Sequence, residues 1–332
     1  PVHGAAKVGD TIVNSESIRN NFKTAFVKIE SSNKIDDIGS FKIRKIFLLF
    51  QLLFKVCYQL IVFRPHKVYY TPSPSGFAFY RDIVSVSLIK FYVFVRRIVA
   101  RSTEVYFHYH ARGIRDFTAA SKISRVLTEY LIKNTNIIFI SDLMHKELEG
   151  LNYFKHVTTI NNGSRSGITD NEFDSVVNDR CDAKSVNVLY LSNMIKEKGY
   201  DKVLELAKHQ KEAGANKVHF HFAGSWGSHA DQEFFFSFIK QHDLENLVSY
   251  HGFVSGDQKK ELFKTSHLFV FPTSYNREIF PLSLLEALSY GLPILTYDTG
   301  AIKEVMTDQV GIISSNHKIY KDFEFLKEKY LN

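Results

Sequence analysis

Cysteine is nearly absent from this sequence. Only Cys57 and Cys181 occur in the 332 residues, far apart and without the spacing of metal ligands. This excludes a disulfide-stabilised scaffold and a zinc site, and it indicates a reducing compartment such as the cytoplasm. The chain starts at Pro1 without a basic, apolar and cleavage-site series, so no signal peptide is visible.

Uninterrupted apolar runs of membrane-spanning length are also missing. Residues 46–63 come closest, but Gln51, Lys55 and Gln59 recur at four-residue spacing and predict an amphipathic helix. Residues 82–101 mix aromatic residues with Lys and Arg in a similar way. Two interpretations stay open for these segments. They cover a sheet as core helices, or one of them lies on an anionic membrane surface with its apolar face down.

The charge balance favours an anionic partner. The 42 Lys and Arg residues outnumber the 35 Asp and Glu residues, which gives a net charge of +7. A phosphorylated small molecule, an acidic membrane surface or a nucleic acid would each suit this charge. The basic residues are scattered through helical stretches and accompany no recognition motif, so a nucleic acid is not expected as a partner.

Strand-like and helix-like segments alternate along the chain. The strand-like segments are 25–29, 66–71, 104–110, 136–141, 187–192, 217–224, 247–253, 267–273, 292–297 and 310–314. Repeated βα units form parallel sheets with right-handed crossovers, so each half is predicted to be a doubly wound α/β domain. The polar run 168–185 is the expected linker, which places the domains at 1–168 and 185–332. Ligands are expected beyond the carboxyl ends of the strands, in a cleft between the domains.

The segment REIFPLSLLEALSYG at 277–291 carries the clearest signal of a site. Pro281 is typical of a first helical turn, so a helix is predicted to start there, with Glu278 ahead of it and Glu286 inside it. The N-terminus of that helix would attract an anion between two hydrogen-bond acceptors. The spacing of the two glutamates does not by itself distinguish a ligand site from a solvated helix face, because two glutamates around an amphipathic helix usually lie on its solvated face. Lys198-Gly199 and Gly224 follow earlier predicted strands, and a Lys at such a place can meet a diphosphate.

Residues 185–314 resemble the nucleotide-sugar domain of the retaining GT-B glycosyltransferases of family GT4. The resemblance rests on the strand–Lys198-Gly199–helix unit, the turns at 222–224 and 251–255, the run at 271–295, and Gly300 with Glu304. It implies a GT-B fold, in which two Rossmann-like domains face each other across a cleft. It also implies that a sugar moves from a UDP- or GDP-sugar to an acceptor with retention of configuration.

The resemblance assigns roles to the matching positions. Glu286 would bind the ribose hydroxyls, Glu278 the hydroxyls of the donor sugar, and Lys198 the diphosphate. The implied donor site also includes Asn193, Gly199, Gly224, Ile279, Phe280, Pro281 and Leu282, and the backbone at 280–282 would meet the diphosphate. The catalytic candidates are Glu278, Lys198 and, from the first half, His110.

The first half resembles the acceptor domain of the family less closely. Residues 2–10 look like its glycine turn, with Gly4 approaching the donor phosphate or sugar, although the strand that should precede this turn is missing. Alternation along 104–113 puts His108 and His110 on one face, and His110, nearest the turn, is the candidate. Its alternative is a core imidazole with its hydrogen bonds satisfied. His219 and His221 alternate similarly but match no site of the family, so we interpret them as structural.

The chain departs from the family at Asn193, where an Arg is usual. Asn carries no charge, so Arg277 or Lys196 is expected to supply part of the stabilisation of the diphosphate. The absence of a D-x-D motif disfavours the metal-dependent GT-A type, and neither a metal nor a cofactor is expected. The early start and the short end of the sequence suggest a trimmed version of a longer protein.

The expected activity is that of a metal-independent hexosyltransferase in surface-polysaccharide or glycoconjugate assembly. Its partners would be a nucleotide-sugar donor and a saccharide acceptor, lipid-linked at the cytoplasmic membrane face. The alternative is a catalytically inactive GT-B protein that binds a sugar nucleotide or a protein partner.

Overall fold

The computed structural model describes residues 4–29, 43–164, 166–215 and 217–331 of the chain. They form two compact units, Pro1–Asn162 and Gly163–Asn332. The boundary between the units therefore precedes the expected linker at 168–185. Each unit is built around a parallel sheet, as the alternation of strand-like and helix-like segments predicts.

The first unit has a sheet of four parallel strands in the order β1-β2-β3-β4. The strands are β1 (Lys67–Tyr70), β2 (Glu104–Tyr109), β3 (Asn136–Phe139) and β4 (His156–Thr159). The helices are α1 (Gly4–Val13), α2 (Glu16–Asn21), α3 (Ile43–Val62), α4 (Gly76–Ile98), α5 (Ile114–Ala120) and α6 (Lys122–Ile132). The amphipathic helix predicted over 46–63 is confirmed as α3. No helix among the described residues combines the length and apolarity needed to cross a membrane.

In this unit one strand prediction is wrong and one strand was not predicted. Residues 25–29 form no strand, and Phe26 among them is exposed, so the apolar alternation there finds neither a neighbouring strand nor a core. Sequence analysis missed β4, which pairs with β3 at the edge of the sheet. Its residues alternate between exposed and half-buried, and such a short edge strand has a weak period-two signal.

The second unit has a six-stranded parallel sheet in the order β10-β9-β8-β5-β6-β7. The strands are β5 (Val186–Leu191), β6 (Val218–Ala223), β7 (Val248–Tyr250), β8 (Leu268–Phe271), β9 (Ile294–Tyr297) and β10 (Gly311–Ser314). The helices are α7 (Asp170–Cys181), α8 (Tyr200–Glu212), α9 (His229–Gln241), α10 (Gly256–Thr265), α11 (Leu282–Ser289) and α12 (Ile319–Leu331). All six strands predicted for this half are confirmed. The sheet grows in one direction from β5 and in the other from β8, so the order reverses between these two strands.

The segment expected to be a linker is instead the packed helix α7. Thr169 and Glu172 form a capping box at its start. Near its end, Arg180 donates hydrogen bonds to the backbone carbonyls of Lys264, Phe263 and Tyr290, at 3.0, 2.9 and 2.9 Å. The polar composition of α7 suggested a linker, but polar anchoring of this kind leaves no apolar periodicity to detect.

We expect the substitution Arg180→Met to lower the free energy of unfolding of the second unit by about 2–4 kcal/mol. The substitution removes these three hydrogen bonds and a fourth, longer one to the carbonyl of Gly291, and it leaves carbonyl groups without these partners. Urea unfolding of the full chain measures the change. The exposed Arg277 supplies the control, since Arg277→Met should stay within about 0.5 kcal/mol of the wild type. Equal effects of the two substitutions would contradict this role of Arg180.

Candidate active site

The candidate donor residues of the second unit lie where the order of its sheet reverses. The neighbouring strands β5 and β8 end at the same edge, and each leads into a loop at that edge. In open parallel sheets such a reversal opens a crevice beyond the strand ends, where ligands bind. The loop after β5 carries Asn193, Lys198 and Gly199, and the loop after β8 carries Glu278 to Pro281.

The two loops are held together by their backbones. The N–H of Ser274 donates to the carbonyl of Glu197 at 2.8 Å. Gly199 adopts a φ of +87°, and a Cβ built on it would lie 2.3 Å from the carbonyl oxygen of Pro272. No side chain fits between the loops at this point, which explains why Gly must follow Lys198.

A second glycine holds the segment that carries Glu278. Gly300 has a φ of +61°, and a Cβ on it would lie 2.3 Å from the carbonyl oxygen of Glu278. The next residue, Ala301, donates its N–H to the carbonyl of Ile279 at 2.8 Å. The loop after β9 therefore presses against the backbone of the acidic segment and fixes its path.

These backbone contacts bring Lys198 and Glu278 together. The Nζ of Lys198 lies 3.1 Å from Oε2 of Glu278, and both side chains are largely buried. The same ammonium lies 5.4 Å from the centre of the Tyr275 ring. Lys198 has three N–H donors, so it can hold the carboxylate and still donate to a further anion.

The helix predicted to start near Pro281 is confirmed. Helix α11 begins at Leu282, and Pro281, at the N-cap position, makes no side-chain capping hydrogen bond. The preceding Ile279 and Phe280 are buried and anchor the entry of the chain into the helix. The N–H groups of the first helical turn and the positive end of the helix dipole are thus available for an anion.

Glu286, one turn inside α11, has a partner that sequence analysis missed. Its Oε1 forms an ion pair with the Nζ of Lys259 on α10, and both side chains are largely buried. Lys259 lies 27 positions earlier in the chain, on a helix that carried no site signal. Only the packing of α10 beside α11 reveals this pair.

Asn193 and the two basic residues considered as substitutes for the usual Arg differ in their surroundings. Asn193 is half-buried at the end of β5, where its carbonyl accepts a hydrogen bond from Ile195. The ammonium of Lys196 lies over the Phe234 ring, 5.3 Å from its centre. Arg277 is exposed. Gly224 follows β6 as predicted, and its N–H donates to the carbonyl of Gly252 at 2.8 Å.

His108 and His110 of the first unit lie side by side as the alternation predicts, with ring centres 4.0 Å apart. Nδ1 of His108 is hydrogen-bonded to the hydroxyl of Tyr69 at 2.6 Å. In contrast, neither ring nitrogen of His110 has a hydrogen-bond partner among the described residues. Burial, and secondarily the neighbouring His108, lowers the pKa of His110 to about 3, so its imidazole is neutral at ordinary pH. Gly4, the other candidate of this unit, is the first residue of α1.

The histidines of the second unit have structural partners. Nε2 of His219 is hydrogen-bonded to the Ser249 hydroxyl, and Nδ1 of His221 to Nε2 of His251. In the described part of the chain, no group of three His, Cys, Asp or Glu side chains could hold a metal ion. The metal independence of the activity stays a prediction.

Residues 178–324 match the family described as Glycosyl transferases group 1. We call this matched part of the chain the glycosyltransferase domain, after the family that it resembles. The glycosyltransferase domain contains both carboxylates, both lysine partners, Gly199 and Gly300.

Two curated relatives are similar to parts of this chain. The alpha-galactosylglucosyldiacylglycerol synthase of Streptococcus pneumoniae is 31% identical over 138 residues, which are 41% of this chain and 33% of the relative. An uncharacterized 41.2 kDa protein in the cps region of Klebsiella pneumoniae is 23% identical over 251 residues, which are 76% of this chain and 58% of the relative. The chain thus spans between a third and three fifths of the length of these relatives.

Solved structures show the fold of both units. Sucrose-phosphate synthase from Thermosynechococcus elongatus matches 91% of this chain and 73% of its own, with a TM-score of 0.63 and 12% identity. Anabaena HepE in complex with UDP and glucose matches 84% of this chain and 71% of its own, with a TM-score of 0.59 and 14% identity. At these identities the likeness shows the fold alone. It is the GT-B fold, as the sequence predicts.

We expect Lys259→Met to lower the free energy of unfolding by about 2–4 kcal/mol, because it leaves the largely buried Glu286 without its lysine. The adjacent Lys260 offers a matched control. Lys260 is 56% exposed beside Asp257, so Lys260→Met should cost no more than about 1 kcal/mol. Urea unfolding compares the two variants. Adding Glu286→Gln to Lys259→Met should recover part of the loss, and the absence of any recovery would contradict the coupling.

The buried imidazole of His110 predicts a loss of stability in acid. Its pKa is lowered from 6.5 to about 3, so below pH 6.5 the unfolded chain takes up a proton that the folded chain does not. Stability attributable to His110 is complete above pH 6.5 and falls towards pH 3, by about 2 kcal/mol between pH 7 and pH 5. Thermal unfolding across this range should show a weaker pH dependence for His110→Gln than for the wild type. The exposed His229→Gln should keep the dependence of the wild type.

Proposed function

We propose that this chain is a retaining glycosyltransferase that moves a sugar from a UDP- or GDP-sugar to a saccharide acceptor. The observation that carries the proposal is the Lys198–Glu278 pair beside the start of α11, at the reversal point of a sheet in a glycosyltransferase domain. This arrangement offers positive charge for a diphosphate and a carboxylate for sugar hydroxyls within a few ångströms. Among solved structures of this fold, HepE holds UDP and glucose, which supports a nucleotide sugar as the donor.

The donor would lie along the acidic segment. Lys198 and the first-turn N–H groups of α11 would bind the diphosphate, and Glu278 would accept hydrogen bonds from the donor sugar. Glu286, one turn further along the helix, would accept hydrogen bonds from the ribose hydroxyls. Lys259 would keep this carboxylate oriented, because the ion pair fixes one of its two oxygens.

Transfer breaks the bond between the anomeric carbon and the diphosphate and forms a bond from the same carbon to the acceptor oxygen. Negative charge grows on the leaving diphosphate, where Lys198 and the α11 N-terminus are already in place to stabilise it. The acceptor hydroxyl would attack on the face from which the nucleotide departs, so configuration is retained, and its proton would pass to the leaving phosphate oxygen. The charge on Lys198 and the helix dipole support a reaction that needs no metal ion.

The acceptor is proposed to be a lipid-linked saccharide in surface-polysaccharide or glycoconjugate assembly at the cytoplasmic membrane face. Two relatives support this class of acceptor. One carries a glycosyldiacylglycerol synthase name and the other lies in a cps region. The neutral imidazole of His110, with both nitrogens free of partners among the described residues, is the candidate of the first unit for a contact with a sugar hydroxyl.

A donor panel tests the proposal. The full chain is incubated with UDP- and GDP-linked sugars, and thermal shift and slow nucleotide release are followed, with and without a chelator. We expect one donor to give both signals, unchanged by the chelator, and Glu286→Ala to weaken binding by a factor on the order of 100 through loss of charged hydrogen bonds. Proton NMR of the product with a supplied acceptor reports the anomeric configuration.

Glu212→Ala is the matched control, since Glu212 is an exposed residue of α8 that pairs with Lys208 across one helical turn. It should leave both signals unchanged. A folded wild type that responds to no donor would favour a non-catalytic binding protein, with Asn193 as the first residue to replace by Arg. Equal loss in both Glu variants would refute the assigned site.

A further inference from the structure

Helix α3 of the first unit presents an apolar face to solvent. Its exposed large side chains recur every three to four positions, which places them in one stripe. They are Phe47, Phe50, Phe54, Tyr58, Ile61 and Val62, and Phe54 is 73% exposed. The opposite face, with Leu52, Val56 and Leu60, is buried. The side of the helix that faces solvent therefore carries a row of large apolar side chains, with the exposed Gln51 and Lys55 along it.

Helix α4 repeats this arrangement. Its exposed large side chains are Phe77, Tyr80, Val84, Phe91, Phe94, Val95 and Ile98, again at helical spacing. Phe91 and Ile98 are 66% and 68% exposed, respectively. Exposed Phe and Ile residues scattered singly are ordinary, but two aligned stripes are not.

The two stripes belong to one layer of helices. Right-handed crossovers between β1, β2 and β3 place α4 and α6 on the same face of the sheet. Helix α3 packs beside α4, and α6 packs on its other side. The hydroxyl of Tyr130 on α6 donates to Ser87 on α4 at 3.0 Å. With 20 and 23 residues, α3 and α4 extend about 30–35 Å each.

Charge on this layer is strongly one-sided. Residues 43–101 contain ten Lys and Arg but a single acidic residue, Asp82. This stretch carries +9, and the remainder of the chain therefore carries −2. Asp82 is fully buried and accepts hydrogen bonds from Tyr70, Ser73 and Arg81, so it contributes no negative charge to the surface.

The basic residues frame the apolar stripes. Lys55 lies beside Phe54 on α3, and Arg97 beside Ile98 on α4; both are exposed. Arg64 and Arg101 follow the ends of the two helices, which lead into the paired strands β1 and β2. The carboxyl-terminal ends of both helices thus share one basic edge.

We propose that the surface formed by α3 and α4 docks onto an anionic lipid bilayer, with the aromatic stripes in the interface and the Lys and Arg residues at the headgroups. Apolar aromatic faces flanked by cations have the composition of helices that lie in the membrane plane. A second copy of the same surface is a poor partner, because two faces that both carry an excess of exposed Lys and Arg repel each other. This inference stands on α3 and α4 alone and does not depend on the donor site.

Flotation of the full chain with lipid vesicles tests it without any sugar nucleotide. We expect binding to phosphatidylcholine vesicles that contain phosphatidylglycerol and much weaker binding to pure phosphatidylcholine, with a loss at high salt. Phe50→Ser combined with Phe54→Ser should weaken binding by a factor on the order of 100, because each Phe loses its burial in the interface. Phe173→Ser with Phe325→Ser, on exposed positions of α7 and α12, is the matched control and should bind like the wild type.

Charge reversal gives a second, independent variant. Lys55→Glu with Arg97→Glu and Arg101→Glu changes only exposed side chains and should abolish the preference for anionic vesicles. Circular dichroism shows whether each variant is folded. If the Phe variant does not fold, the charge variant alone tests the proposal. The proposal is overturned if the folded wild type binds neither vesicle or if the control loses binding equally. It is also overturned if the wild type is a dimer, ignores vesicles and becomes monomeric in the Phe variant.

Discussion

The contact between Gly199 and the carbonyl of Pro272 is the constraint on which the donor site depends. Strands β5 and β8 are neighbours about 4.8 Å apart, so the loops that leave them must share a narrow strip of the sheet edge. The absence of a side chain at Gly199 lets the first loop pass directly under the second. Only then do the Lys198 ammonium and the Glu278 carboxylate, which belong to different βα units, come within 3.1 Å. The site is a consequence of where two backbones touch.

In this site each buried carboxylate is paired with a lysine. The acidic segment contributes both carboxylates, and each is paired with a lysine from a different element, Lys198 after β5 and Lys259 on α10. Burial of an unpaired carboxylate would cost several kcal/mol, so each pair lets the fold hold a charged acceptor in a dry crevice. A diphosphate would then approach an ammonium whose geometry is already set. In the proposed function, the same four side chains serve both stability and ligand binding.

Local sequence patterns were sufficient to predict much of the fold of the second unit. Alternating apolar residues predicted the six strands of the second unit, and Pro281 marked the start of α11. The role of Lys259 could not be predicted, because it depends on an ion pair with Glu286 between α10 and α11, and no local spacing in the sequence indicates this contact. Helix α7 was missed for a related reason, since its anchor is a single Arg180 that donates to distant carbonyls. Sequence patterns report burial and turns, whereas ion pairs and anchors between elements appear only after the chain is folded.

The position of the positive charge changes what the composition means. A net charge of +7 predicts an anionic partner, which could be a phosphorylated small molecule, an acidic membrane surface or a nucleic acid. Yet the residues outside 43–101 sum to −2, and the lysines of the donor site are each balanced by a glutamate. A paired and buried ammonium acts over a few ångströms, whereas an unbalanced exposed surface acts over about 8 Å at physiological salt. The excess charge therefore lies in the stretch that contains α3 and α4, outside the proposed donor site.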